Sequence, residues 1–140
     1  MEVNMKKTPR VSEAEWEVMQ VLWKTSPMTA NDIVEELTGK TPWKRETIRT
    51  LINRLVRKKA LGFEKKGRQY YYFPLVTKTE CIREETKSFL RRFHGGSIEP
   101  MLAAFVEEEQ LSPEKIARLR QILNENTTRP KNPKLGKPLQ

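Results

Sequence analysis

One cysteine, Cys81, and one histidine, His94, stand among 140 residues. A lone cysteine excludes an intrachain disulfide and a cysteine-cluster metal site, and a lone histidine leaves no imidazole ligand set and no Ser-His-Asp triad. Paired carboxylates in a glycine-rich or nucleophile context are missing too, so the residue types of catalysis are absent and no enzyme is expected. No cofactor or metal is expected either. The chain has no run of eighteen apolar residues and no charged-then-apolar leader after Met1. Both absences argue against membrane insertion and a signal peptide, and predict a cytoplasmic protein. Cys81 reads as a small buried apolar residue, and His94, just before Gly95-Gly96, as a helix-end residue near free carbonyls.

What is present in excess is positive charge. Lysine and arginine number 27 against 18 acids, for a net charge of +9. The excess is local: between Lys44 and Arg68 ten cations face only Glu46 and Glu64, which leaves +8 on this one stretch. A clustered basic surface supplies the counterion-release term that dominates non-specific nucleic-acid affinity, whereas an even spread would argue only for solubility.

The same stretch has a helical pattern. Ile48, Leu51, Ile52, Leu55 and Val56 fall at i, i+3, i+4, i+7 and i+8, one apolar stripe that must face a core. The opposite side carries Glu46, Thr50, Asn53, Arg54 and Arg57, flanked by Thr47 and Arg49, a face of hydrogen-bonding and cationic groups suited to the major groove. The stretch from Phe63 to Phe73 follows, two β-prone runs around a basic Gly-containing turn, which predicts a hairpin with a cationic tip. Tyr70 and Tyr72 share one face of its second strand and Tyr71 and Phe73 the other; one pair packs on the helices, and the spacing leaves open which.

The preceding chain supplies the rest of a helix-turn-helix. Ser12 and Glu15 form a capping box, with Val11 and Trp16 as a hydrophobic staple, and the helix runs through Met19, Leu22 and Trp23 to stop near Ser26-Pro27. Trp16 and Trp23 read as core residues. Thr29 and Asp32 cap a second helix with Ile33, Val34 and Leu37 inward, and Gly39 ends it. The order of short helix, turn, basic helix and hairpin predicts a winged helix.

After Val76 the character changes. Thr77 and Glu80 form another capping box, and Ile82, Thr86, Phe89, Leu90 and Phe93 make a stripe ending at Gly95-Gly96. Ser97 is expected to begin a helix with Ile98, Met101, Leu102, Phe105 and Val106 inward. Ser112 caps a third, with Pro113 in its first turn, Leu111 stapled to Ile116, and Leu119, Ile122 and Leu123 continuing the face. From Glu80 to Asn126 seven cations meet nine acids, a net of −2. Three amphipathic helices in so short a segment cannot enclose a core alone, so they either pair with a second copy or fold back on the winged helix. The expected organisation is therefore a mainly α chain with a small β-hairpin wing: a winged helix-turn-helix DNA-binding domain over 1–76, a helical dimerisation domain over 77–126 and a disordered Pro/Lys-rich tail over 127–140.

Three stretches carry a family resemblance. Val11-Ser12-Glu13-Ala14-Glu15-Trp16-Glu17-Val18-Met19 through Leu22-Trp23, then Thr47-Ile48-Arg49-Thr50-Leu51-Ile52-Asn53-Arg54-Leu55, then Phe105-Val106-Glu107-Glu108-Glu109-Gln110-Leu111-Ser112 resemble the penicillinase-repressor (BlaI/MecI) family of bacterial transcription regulators, over about Val11 to Asn126. The resemblance implies a homodimeric winged-helix repressor on a palindromic operator, controlling a β-lactam-response or related stress operon. It implies a dimer arm built on Phe89, Leu90, Phe93, Leu102, Phe105, Val106, Leu119, Ile122 and Leu123. It also implies inactivation by proteolysis before the Phe of the Phe-Val-Glu motif, at Ala104-Phe105, downstream of a membrane sensor with a zinc-protease domain. Ala104 departs from the Asn common there, and the Cys-x-Cys pairs of the copper-responsive branch are absent. Ala60 stands where a helix-ending glycine is usual, and Lys44 at a common Ser N-cap; Gly62 is expected to supply the left-handed residue slightly later.

On this reading Thr47, Arg49, Thr50, Asn53 and Arg54 contact bases, with Arg49 suited to guanine and Asn53 to adenine. Lys44, Arg45, Arg57, Lys65, Lys66 and Arg68 hold phosphates and set the register. The alternative is a protein-protein adaptor whose basic face meets an acidic partner.

Overall fold

The computed structural model describes residues 7–93 and 98–128. The readings of His94, Gly95-Gly96 and Ser97, of the first six residues and of 129–140 lie outside the described residues. The chain forms two compact units, one running to His94 and one from Gly95.

The first unit opens with α1, Glu13–Lys24, which starts where local chemistry dictates. The Ser12 hydroxyl accepts from the Glu15 amide at 3.1 Å and the Glu15 carboxylate accepts from the Ser12 amide at 2.9 Å, a reciprocal cap that satisfies two otherwise orphan donors. The same device starts α2, Ala30–Thr38, through Thr29 and Asp32, and α4, Lys78–Arg92, through Thr77 and Glu80. Between α1 and α2 lies a strand the sequence reading missed, β1, Met28–Thr29; two residues are too few for a period to register. α3, Arg45–Arg57, is followed by the hairpin of β2, Leu61–Lys66, and β3, Gln69–Pro74. The antiparallel sheet has the order β1-β3-β2, with Met28 opposite Tyr72 and Leu61 opposite Pro74. The wing is thus longer at its base than expected, reaching back to Leu61. Gly67, first of the two loop residues, has φ +65°, which a side chain would strain.

The core is the meeting of three helical stripes with the base of the wing. Val18, Met19 and Leu22 from α1, Ile33, Val34 and Leu37 from α2, and Ile48, Leu51, Ile52 and Leu55 from α3 are buried with Leu61. Trp16 and Trp23 pack against this cluster edge to face, with centroids 5.2 Å apart. The Trp23 indole donates to the Val76 carbonyl at 2.9 Å, which ties α1 to the chain leaving the wing. α4 belongs to this unit: Cys81 is buried in the core, as its reading required, and Arg10 meets Glu85 at 3.4 Å.

One expectation is corrected at the end of α3. The left-handed residue is Lys59, with φ 69°, and not Gly62. The Lys59 amide donates to the Val56 carbonyl at 3.0 Å and the Ala60 amide to the Leu55 carbonyl at 2.9 Å, the paired bonds of a Schellman motif with lysine where glycine is favoured. Gly62 is needed for another reason: a Cβ there would stand 3.0 Å from the Phe73 ring and 3.1 Å from Leu75. Relieving the left-handed strain by Lys59→Gly should raise unfolding free energy by about 0.5 to 1 kcal/mol, the Cβ penalty less the added chain entropy. Urea unfolding of the two proteins checks it; a loss of stability would mean that the lysine stem contributes more than its backbone strain.

The second unit holds α5, Glu99–Glu109, and α6, Pro113–Thr128. Ile98 is the N-cap residue of α5, with no capping side chain. The Ser112 hydroxyl accepts from the Lys115 amide at 3.2 Å, as expected of a cap. Leu102, Phe105, Val106, Leu119, Ile122 and Leu123, the apolar face expected to need a covering partner, are exposed in the single chain, Phe105 at 52% and Leu123 at 58%.

Candidate nucleic-acid interface

α3 sorts its side chains cleanly. Ile48, Leu51, Ile52 and Leu55 wall the core, and Thr47, Arg49, Thr50, Asn53 and Arg54, the five predicted base contacts, all lie exposed. From Thr47 to Arg54 the rise is about 10 Å at 1.5 Å per residue, comparable with the width of a major groove. The structure thus gathers all five on one accessible face of a rigid helix.

The predicted phosphate contacts are exposed as well, but they differ in their surroundings. Lys44 is the N-cap residue of α3, in extended conformation and with no side-chain cap bond to the helix. Arg45 stands 3.8 Å from Glu35 of α2, a weak exposed pair. Arg57 closes the helix. On the wing the Lys65 ammonium lies 5.9 Å from the Tyr70 ring centroid and that of Lys66 5.8 Å from Tyr71, so rings steady both cations without neutralising them.

The wing tyrosines resolve as well. Phe63, Tyr70 and Tyr72 share a face, with Phe63 5.0 Å from Tyr70 and 6.1 Å from Tyr72. Tyr72 packs against the core while Tyr70 remains exposed. Burial pushes the Tyr72 phenol above its ordinary pKa, Tyr70 adds to the shift, and the positive charge of Arg49 opposes it. Arg49 also donates to the Asn31 side-chain oxygen at 2.9 Å. A cleft of about 310 Å³ joins these groups, lined by Thr29, Asn31, Arg49, Arg68, Tyr70 and Tyr72 among others, so one predicted base reader and one predicted phosphate holder share a single opening.

Two residues change meaning. Lys58, counted with the basic cluster, points inward: its ammonium is 2.5 Å from Glu15 and donates to the Arg10 carbonyl at 2.9 Å. Asn31 belongs by sequence only to the opening of the second helix and carries no site role there, since a partner 18 positions away leaves no local signal. Among the described residues no cluster of three metal-ligating side chains occurs, and no helix is long and apolar enough to cross a membrane. The Cys81 thiol is raised by burial and by the nearby Glu80 and Glu85, which keeps it protonated and unreactive.

Fold and face together define a winged helix-turn-helix protein of the nucleic-acid-binding type. The profile of the penicillinase repressor family matches residues 11–125, and the chain belongs to that family. It is 42% identical over 127 residues to the penicillinase repressor of Bacillus licheniformis, covering 91% of this chain and 99% of that protein. It is 37% identical over 118 residues to the methicillin resistance regulatory protein MecI of Mammaliicoccus sciuri, covering 84% and 96%. Among solved structures, the monomeric form of Bacillus licheniformis BlaI in complex with the blaP half-operator is 41% identical and covers 54% of this chain and 93% of its own, with a TM-score of 0.48.

Proposed function

We propose that the chain is a transcriptional repressor that binds a palindromic operator as a homodimer. The exposed face of α3, opposite a fully buried stripe on the same helix, is the observation that carries the reading. Thr47, Arg49, Thr50, Asn53 and Arg54 read base edges, while Lys44, Arg45, Arg57, Lys65, Lys66 and Arg68 hold phosphates on either side. Residues 1–76 are the DNA-binding part and 77–126 the dimerisation part. Phe89, Leu90, Phe93, Leu102, Phe105, Val106, Leu119, Ile122 and Leu123 form the contact with the second copy; the apolar exposure on α5 and α6 supports this role. Half-sites then lie about one helical turn apart, roughly 10 base pairs or a multiple.

The penicillinase and methicillin-resistance relatives support control of a β-lactam-response or related stress operon in the cytoplasm, without catalysis by this chain. Relief of repression follows cleavage at Ala104-Phe105, within exposed α5, downstream of a membrane sensor with a zinc-protease domain.

Selection of bound fragments from a random duplex pool tests the function, and an inverted repeat is the expected product. Arg49→Ala should then cost about 1 to 3 kcal/mol on the selected duplex and little on scrambled DNA. Lys66→Ala should weaken both and reduce the salt slope by about 1. Binding that survives scrambling unchanged would overturn the repressor reading in favour of a basic adaptor.

A further inference from the structure

We propose that Asn31, outside the recognition helix, is a positioning residue that holds the Arg49 guanidinium in its base-reading orientation. The inference rests on the reading of α3 as the DNA-recognition helix. Its basis is the 2.9 Å bond from Arg49 Nη2 to Asn31 Oδ1 between two exposed side chains of different helices. The acceptor sits on a fixed platform. Asn31 lies in the first turn of α2, two residues after Thr29, which is buried, reciprocally capped to Asp32 and paired through β1 with Tyr71 of β3. An oxygen carried there moves with the sheet and the core rather than with a loop.

The chemistry of the acceptor matters as much as its place. An amide oxygen takes up one of five guanidinium N–H groups and removes no charge, so the remaining donors can still address the two acceptors of guanine. A carboxylate at the same point would neutralise the cation and compete with the base. Tyr72 and Tyr70 line the same cleft and limit where the long side chain can swing. A side chain held before binding loses less rotamer entropy on binding, worth about threefold to tenfold in affinity for one arginine.

The test uses the full chain, with the duplex that it enriches from a random pool and a scrambled duplex of the same length as probes. Asn31→Ala should weaken the enriched duplex about threefold to tenfold and leave the scrambled one within about twofold. In an Arg49→Ala background the same change should do nothing further, the signature of a contact acting through Arg49. Asn31→Asp should weaken binding more than Asn31→Ala, although it keeps the acceptor. In the free protein, 15N NMR should show slower rotation of the Arg49 Nη groups in the wild type than in Asn31→Ala. Equal losses on both duplexes, a loss that persists without Arg49, or tighter binding by Asn31→Ala would each overturn the role. If the wild type enriches no duplex, the DNA reading falls and this role falls with it. An enriched duplex bound equally by Asn31→Ala removes the role of Asn31 alone.

Discussion

Lys58→Ala lowers the unfolding free energy by about 2 to 3 kcal/mol at neutral pH, as expected when a buried ion pair loses one partner. Glu15 is 2% exposed and Lys58 35%, so the effect falls just below the range of about 3 to 5 kcal/mol for fully buried pairs. The pair joins the first turn of α1 to the C-cap residue of α3, and through the Arg10 carbonyl it also fastens the approach to α1. Burial pushes the Glu15 carboxyl upward, but the hydrogen bond from Lys58, the bond from the Ser12 amide and the Lys58 charge together carry it below its ordinary value. A carboxyl lowered on folding contributes stability above its unfolded pKa and loses it as the pH falls through the folded value. In Lys58→Ala the burial contribution loses its main opposition, so the carboxyl rises and this contribution shrinks or reverses. The gap between the two proteins should therefore be widest near neutrality, narrow as the pH falls through the ordinary carboxyl range and close only below the lowered value of the folded wild type. The double variant Glu15→Gln, Lys58→Met should recover most of the loss, because no buried charge is left without a partner. Urea titrations at several pH values give all three comparisons; a gap independent of pH would assign the loss to packing of the lysine stem.

That ion pair marks where a sequence stops being readable. Most of what depends on neighbours within a turn was legible: three capping boxes, the cap of α6 by Ser112, and the division of α3 into buried and polar faces all follow from spacings of three or four residues. The hairpin was legible because a basic, Gly-containing turn separates two β-prone runs. Contacts between distant positions were not. Lys58 looks like any surface cation until the fold brings it to Glu15, 43 residues away, and Asn31 looks like a helix-start residue until it meets Arg49. The end of α3 was misassigned to Gly62 because glycine is the usual left-handed residue, and the two bonds of the Schellman motif instead place Lys59 there. Gly62 answers to the Phe73 ring, a cross-strand neighbour that only the register reveals. The choice between wing tyrosines turned on the same information: their alternation was evident, but which face met the core depended on β1, a strand of two residues.

Phe105→Asp combined with Leu123→Asp should turn the proposed homodimer into a monomer and weaken binding to a two-half-site duplex by about 10²- to 10⁴-fold, the loss expected when a second half-site no longer binds intramolecularly. Both side chains are more than half exposed in the single chain, and α5 buries no residue at all. Leaving several large apolar side chains in water is unfavourable, and a matching face on a second copy would remove them from it, at about 25 cal/mol per Å² of apolar surface. Two carboxylates placed in that contact would each lose hydration without gaining a partner, so the substitutions act on association far more than on the isolated chain. The first unit has its own core, so its thermal unfolding should be nearly unchanged. Affinity for a duplex carrying one half-site should also be preserved, because the α3 face is untouched. Sedimentation equilibrium measures the mass, and fluorescence anisotropy on full and half operators separates avidity from recognition. A variant that stays dimeric would place the contact elsewhere, on the exposed Leu90 of α4 and the Phe93 that caps it. Equal losses on full and half sites would show that the second unit supports α3 directly, and would remove the homodimer from the explanation of affinity.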